Sequence, residues 1–180
     1  MKRLILLRHA KSNWDDPVTR DFDRPLNRKG LKAAQAIGGY MREHEIAFDH
    51  VIASPAMRVV ETLAGVATAY GEQIDAHWDR RAYLASNMTL LEIIHEAPGD
   101  ADSLLLAGHN SGIEDLALLL VPERKGDTER AKVEEKYPTG ALAEMTFDVD
   151  NWADIAPGSG VLTRFVRPRD LDAELGPDTP

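Results

Sequence analysis

Residues 4–12 read Leu-Ile-Leu-Leu-Arg-His-Ala-Lys-Ser, LILLRHAKS. Leu4, Ile5, Leu6 and Leu7 form an apolar block with no polar alternation, the pattern of a strand covered on both faces in an α/β sheet. The block ends abruptly at Arg8 and His9. In open α/β sheets ligands bind beyond the carboxyl ends of the strands, so a guanidinium and an imidazole at that position face a site rather than a core. Together they suit an anion next to a nucleophile or a base. A lone Arg-His pair also occurs where a buried strand simply meets water, and recurrence of the pattern elsewhere in the chain separates the two readings.

The pattern recurs twice. In VIASPAMR, residues 51–58, Val51 to Ala53 is a short apolar strand, Ser54 is the expected N-cap, Pro55 the first helical residue, and Arg58 falls in the first turn. A cation there opposes the helix macrodipole unless an anion binds nearby or a carboxylate pairs with it. Glu61 and Glu72 are the nearby carboxylates that would make Arg58 merely structural. In LLLAGHNSG, residues 104–112, an apolar strand from Leu104 to Ala107 is followed by Gly108 and then His109. Three strand ends therefore carry Arg-His, Arg and His.

Composition limits what such a site can serve. A chain of 180 residues is long enough for one domain with a substantial core. With 43% hydrophobic and 28% charged residues, it reads as a globular chain. A formal charge of −9 opposes general binding to nucleic acid or to anionic membrane, so affinity for phosphate has to be local. The absence of cysteine removes disulfides, thiol nucleophiles and Cys-based zinc sites. Only four apolar residues separate Arg3 from Arg8, too few for a signal peptide or a span, and a cytoplasmic location is the expectation.

Outward from these three points, residues 13–24 read as a polar loop leaving the first strand, with Trp14 its one conspicuous aromatic before Phe22. Asn27 caps a helix from Arg28 whose expected buried face is Leu31, Ala34, Ile37, Gly38 and Met41. The helix after Pro55 runs to a stop at Gly71. Ile74 to Trp78 is a short strand, Met88 to His95 a helix in which His95 is structural, and Ile113, Leu116, Ala117 and Leu120 form the buried face of the helix after His109. Residues 122–136 read as a charge-rich excursion, a solvated loop or a short surface helix. Ala141–Phe147 and Val161–Val166 form a hairpin near a sheet edge. From Asp170 onward a short helix and a frayed tail are expected. GHNSG lacks the central serine of a hydrolase elbow, and APGSG at 156–160 has neither dinucleotide-loop spacing nor a P-loop lysine.

LRHAKS, SPAMRVVETL (residues 54–63) and GHNSG together resemble the histidine phosphatase superfamily, also called the phosphoglycerate mutase-like fold. Within it, RHAKSNW, DFDRPLNRKG (residues 21–30) and YPTGALAEMTF (residues 137–147) are similar to the SixA-like phosphohistidine phosphatases. The resemblance implies a three-layer α/β/α sandwich around a mostly parallel sheet, formed as one domain by residues 1–180. His9 then matches the phosphorylated nucleophile, and Arg8, Arg58 and His109 match the groups around the phosphoryl. Asp21, Arg24 and Asn110 are candidates for substrate binding. Ala10 replaces the glycine of the usual RHG.

These readings imply a phosphatase that needs neither cofactor nor metal and works through a phosphohistidine intermediate on His9. Its expected partner is a phosphorylated protein, or else a small phosphorylated molecule, with no nucleic acid and no membrane involved. A small-molecule phosphomonoesterase and a non-catalytic phosphate-binding module are the alternatives. The general acid is the gap. Larger relatives carry a carboxylate after the third strand, where this chain has Arg80, Arg81, Ala82 and Tyr83, so Asp21 is the first candidate and Asp79 the second.

Overall fold

The computed structural model describes residues 1–13 and 20–177; Trp14 and its neighbours to Thr19, and residues 178–180, lie outside the described residues. Six strands form one sheet: β1 (Lys2–Arg8), β2 (His50–Ala53), β3 (His77–Trp78), β4 (Ser103–Gly108), β5 (Leu142–Phe147) and β6 (Gly160–Val166). Their order is β3-β2-β4-β1-β5-β6. The first four are parallel, and β5 and β6 are antiparallel additions beside β1. The helices are α1 (Arg28–Glu43), α2 (Met57–Tyr70), α3 (Asn87–His95), α4 (Gly112–Leu120), α5 (Thr128–Glu135) and the single turn α6 (Pro168–Leu171).

The apolar block of β1 is explained by its two faces. Leu4 and Leu6 enter one core with residues of α3 and α4, whereas Ile5 and Leu7 enter the other with residues of α1 and α2. All four are fully buried, each side chain contributing about 1.5–3 kcal/mol of apolar transfer. Helices therefore cover the sheet on both sides, the three-layer architecture that the resemblance implies. β1 pairs with β4 so that Arg8 lies opposite Gly108, and the His9 amide donates to the Gly108 carbonyl at 3.0 Å. This register brings the ends of two strands separated by a hundred residues side by side.

Several local expectations change. Ser54 is not an N-cap: α2 starts at Met57 with Ala56 preceding it, and Pro55 stands outside the helix. Leu31 is exposed because the buried stripe of α1 is Gly30, Ala33, Ala34, Ile37, Gly38 and Met41, one residue out of phase with it. β3 shrinks to His77 and Trp78. The short helix expected near Asp170 is present, and the described residues to 177 are docked. Arg167 and Asp170 hold each other through side chain and backbone, α6 and the 3-10 turn at Ala173–Leu175 contact α1, and Leu175 packs on the core. His95 is structural as expected, its Nε2 lying 2.8 Å from the Ile155 carbonyl. No helix among the described residues is long and apolar enough to cross a membrane.

Candidate active site

His9 leaves β1 at its carboxyl end and is 8% exposed. Its Nδ1 lies 2.7 Å from the Ala10 carbonyl oxygen, which can only accept, so Nδ1 carries the proton. In the neutral ring the lone pair is then on Nε2. Burial lowers the imidazole to about 3, and His109, Arg8 and Arg58 add to that against the opposing bond to Ala10. The ring is neutral at pH 7 and held in one orientation by its Nδ1 bond. The loop is anchored beneath it, since the Ala10 amide donates to Thr62 Oγ1 at 2.9 Å and the Thr62 hydroxyl donates to the Arg58 carbonyl at 2.6 Å. The Ala10 methyl is fully buried in the core, so the departure from RHG is accommodated as packing.

Arg58, 2% exposed, stands in the first turn of α2 as expected, but its partner is neither Glu61 nor Glu72. Nη1 donates to the Asp21 carbonyl at 2.7 Å and Nη2 to Asp21 Oδ2 at 3.0 Å. Glu61 instead accepts from the Leu26 amide. Asp21 also accepts from the Tyr83 hydroxyl and, through Oδ1, from Arg24 Nη2 at 3.2 Å. Burial alone would raise this carboxyl, yet the bonds from Tyr83, Arg58 and Arg24 hold it at about 2. A group so fully ionised has no proton to give near neutrality. Asp21 is thus a counter-ion to Arg58. Asp79 caps the turn at Arg80–Ala82, pairs with Arg81 and is not among the residues lining the cavity.

His109, 2% exposed, follows β4, and its ring centroid lies 5.3 Å from that of His9. Its Nε2 is 2.8 Å from Ser54 Oγ, while Nδ1 is buried without a partner among the described residues. Ser54 Oγ already accepts from the Ala56 amide at 3.3 Å. With the hydroxyl donating to His109 Nε2, the tautomer that leaves Nδ1 as an unspent donor is the one set by this bond. Burial, followed by the fields of Arg58 and Arg8, brings His109 to about 3 as well. Arg8 donates through Nη1 to the Tyr137 carbonyl at 2.8 Å, and its Nε is an unpartnered buried donor. Asn110 lines the cavity but is largely committed, its Nδ2 donating to the same carbonyl and its Oδ1 accepting from the Glu114 amide.

These side chains line a cavity of about 890 Å³. Eight of its lining residues are Arg or Lys and one, Asp21, is acidic, on a chain of net charge −9. Within that lining, cations outnumber carboxylates although the chain as a whole is acidic. No group of three or more His, Asp or Glu side chains suited to a metal occurs among the described residues. The arrangement offers a neutral imidazole lone pair among fixed N–H donors and guanidinium charge, which is what an anionic electrophile such as a phosphoryl group requires. The sequence reading missed Ser54, Thr62 and Tyr83 as supports. Only Tyr83 carried a signal, a polar aromatic directly after the Arg-rich turn.

The description "histidine phosphatase superfamily (branch 1)" belongs to a family model matching residues 4–85, which contain Arg8, His9, Asp21 and Arg58. An uncharacterized protein of Mycobacterium tuberculosis is 34% identical over 164 residues, covering 91% of this chain and 100% of the relative. A candidate phosphohistidine phosphatase SixA from Nakamurella multipartitia superposes with a TM-score of 0.80 at 28% identity, covering 93% of this chain and 96% of that one. Another, from Agrobacterium tumefaciens, gives 0.76 at 28% identity over 93% and 98%. With the strand-end cations, the sheet order and the near full-length superpositions in agreement, this chain belongs to the histidine phosphatase superfamily and to its SixA-like branch.

Proposed function

We propose that this protein is a phosphohistidine phosphatase that transfers the phosphoryl group of a phosphorylated protein to His9 and then to water. The observation that carries the reading is the His9 ring itself: Nδ1–H is spent on the Ala10 carbonyl, leaving Nε2 to face the cationic cavity as a neutral nucleophile. Nε2 attacks phosphorus in line, the bond from phosphorus to the substrate's nitrogen breaks, and the departing imidazole takes a proton from solvent. Water then attacks the phosphorus on His9, giving inorganic phosphate and restoring the Nε2 lone pair; the proton lost by water goes to phosphate or bulk. Arg8, Arg58 and His109 Nδ1–H hold the equatorial oxygens through both transfers, and no metal is required for that charge. Loss of one such donor costs on the order of a hundredfold in rate.

The substrate preference follows from the missing acid. An alkyl phosphate leaves as an alkoxide, whose departure gains about a hundred- to ten-thousandfold from a positioned acid. Among the described residues one carboxyl lines the cavity, that of Asp21, and it is held ionised at about 2. An imidazole leaving group is protonated on its far nitrogen by solvent and escapes that handicap. The small-molecule phosphomonoesterase is therefore the weaker reading.

Rapid quench with a phosphohistidine protein tests the proposal. The expected phosphoenzyme is acid-labile and base-stable, maps to His9, and is absent from His9→Ala. Activity is expected to be unchanged by a chelator. Acid-stable label on Ser12 or Ser111, or a His9→Ala variant near wild-type activity, overturns the assignment.

A further inference from the structure

Among the cations lining the cavity, those near His9 and those at its mouth differ. Arg8 and Arg58 are held by buried bonds close to His9, and Arg24 bonds to Asp21. Lys136, at the end of α5, and Arg169, in α6, are exposed, and neither makes an ion pair among the described residues. Arg167, two residues before Arg169, is neutralised by Asp170. On a chain with 30 acidic and 21 basic residues, carboxylate partners are plentiful. Two cations from separate segments left open at one mouth point to an anion that arrives from outside.

Leu84 lines the same cavity. It is 56% exposed and its backbone is left-handed, with φ 50°. That conformation costs an L-residue about 1–2 kcal/mol, and leucine has no side-chain hydrogen bond to offset it. The position is over-determined from both sides: Tyr83 before it is bonded to Asp21, and Ser86 after it caps α3, accepting from the Thr89 amide at 3.3 Å. The fold thus presents an apolar side chain to solvent beside the catalytic floor.

We infer that this mouth, formed by Lys136, Arg169 and Leu84, is a docking surface for an acidic protein segment surrounding the phosphorylated residue. The inference rests on the phosphohistidine reading and adds the character of the partner. A phosphoryl group resting on Arg8 and Arg58 leaves the mouth uncovered, whereas a protein that delivers the phosphoryl on a side chain brings its own surface against it. Carboxylates on that surface complement the two open cations, and an apolar side chain among them covers Leu84. The net charge of −9 does not cancel this attraction, because at 0.1 M salt charges beyond about 10 Å are screened and the mouth dominates locally.

The test compares kcat/KM for two substrates in Lys136→Glu, Arg169→Glu and Leu84→Asn variants of the full chain. One substrate is a small protein, phosphorylated on histidine with phosphoramidate, whose phosphorylated residue is surrounded by Asp and Glu; the other is p-nitrophenyl phosphate. Each charge reversal is expected to lower kcat/KM for the protein by about tenfold, mainly through KM, and to leave the aryl phosphate within about twofold. Leu84→Asn, whose side chain tolerates the left-handed region, is expected to weaken the protein substrate while leaving thermal stability equal or higher. From 0.1 to 0.5 M salt, kcat/KM should fall steeply for the protein only. Equal losses on both substrates would assign the cations to a small polyanion, and no loss on the protein would remove the docking role; either overturns the inference. If wild type fails to turn over the phosphoprotein, the phosphohistidine reading fails by itself. Binding of the same phosphoprotein to His9→Ala then still decides the docking role, supported if Lys136→Glu abolishes binding in that background and overturned if binding is unchanged.

Discussion

At the level of single residues, the site is a set of donors whose directions are fixed by neighbouring side chains. Asp21 holds Arg58, Ser54 orients His109, and Thr62 ties Ala10 to α2. Asp21→Asn is therefore expected to lower kcat on phosphohistidine, aryl phosphate and alkyl phosphate alike, by roughly tenfold or more, through misplacement of Arg58. A collapse confined to alkyl phosphate would instead mark Asp21 as an acid. Ser54→Ala is expected to lower kcat and to mix the His109 tautomers, seen as a change in the ring 15N shifts, with Ser54→Thr restoring both. His9, Arg8, Arg58 and His109 were legible in the sequence because each ends or follows an apolar strand. The Asp21–Arg58 pair was not. Its members are 37 residues apart, and Glu61, one turn from Arg58, was the more obvious partner by helical spacing.

Among elements, the helices were readable where their ends carried chemistry and misread where they did not. Asn27 accepts from the Gly30 amide and Gly71 closes α2 with φ 88°, both at the expected positions. The start of α2 was misplaced because Ser54 and Pro55 look like a cap and a first turn, yet the Ser54 hydroxyl is committed to His109. The α1 and α2 pairing depends on small residues, of which Ala34 and Gly38 fell on the expected buried face of α1. A Cβ on Gly38 would lie 2.3 Å from the Val66 carbonyl oxygen, whereas one on Gly39 meets nothing within 4 Å. Gly38→Ala is expected to force the helices apart and to destabilise by about 1–3 kcal/mol. Gly39→Ala should stabilise by up to about 1 kcal/mol through helix propensity alone. Urea midpoints of the two variants check the contrast. Gly30→Ala carries the same clash toward the site, 2.1 Å from the Lys11 carbonyl oxygen, and should cost activity as well as stability.

For the whole molecule, the cost of keeping two imidazoles neutral beside guanidinium groups appears in the dependence of stability on pH. His9 and His109 titrate near 3 in the folded chain, pushed down chiefly by burial, and near 6.5 when unfolded. Between those values the unfolded chain binds more protons, so stability rises with pH across this window and is lost as pH falls from about 6.5 toward 3. Asp21, at about 2 when folded against an ordinary value of 3.8, contributes stability above 3.8 that is lost as pH falls toward 2. The three groups act in one direction, the imidazoles first. Each imidazole adds about 1.4 kcal/mol per pH unit to the slope while it titrates only in the unfolded state. Urea unfolding between pH 4.5 and 6 should show His9→Asn and His109→Asn each with a shallower slope than wild type by that amount, and the double variant shallower still. Nitrogen NMR of the wild type should show both rings neutral throughout this range. Identical slopes in all four proteins would mean that neither imidazole is held neutral by the fold, and the nucleophile would then lack the lone pair on which phosphoryl transfer to His9 depends.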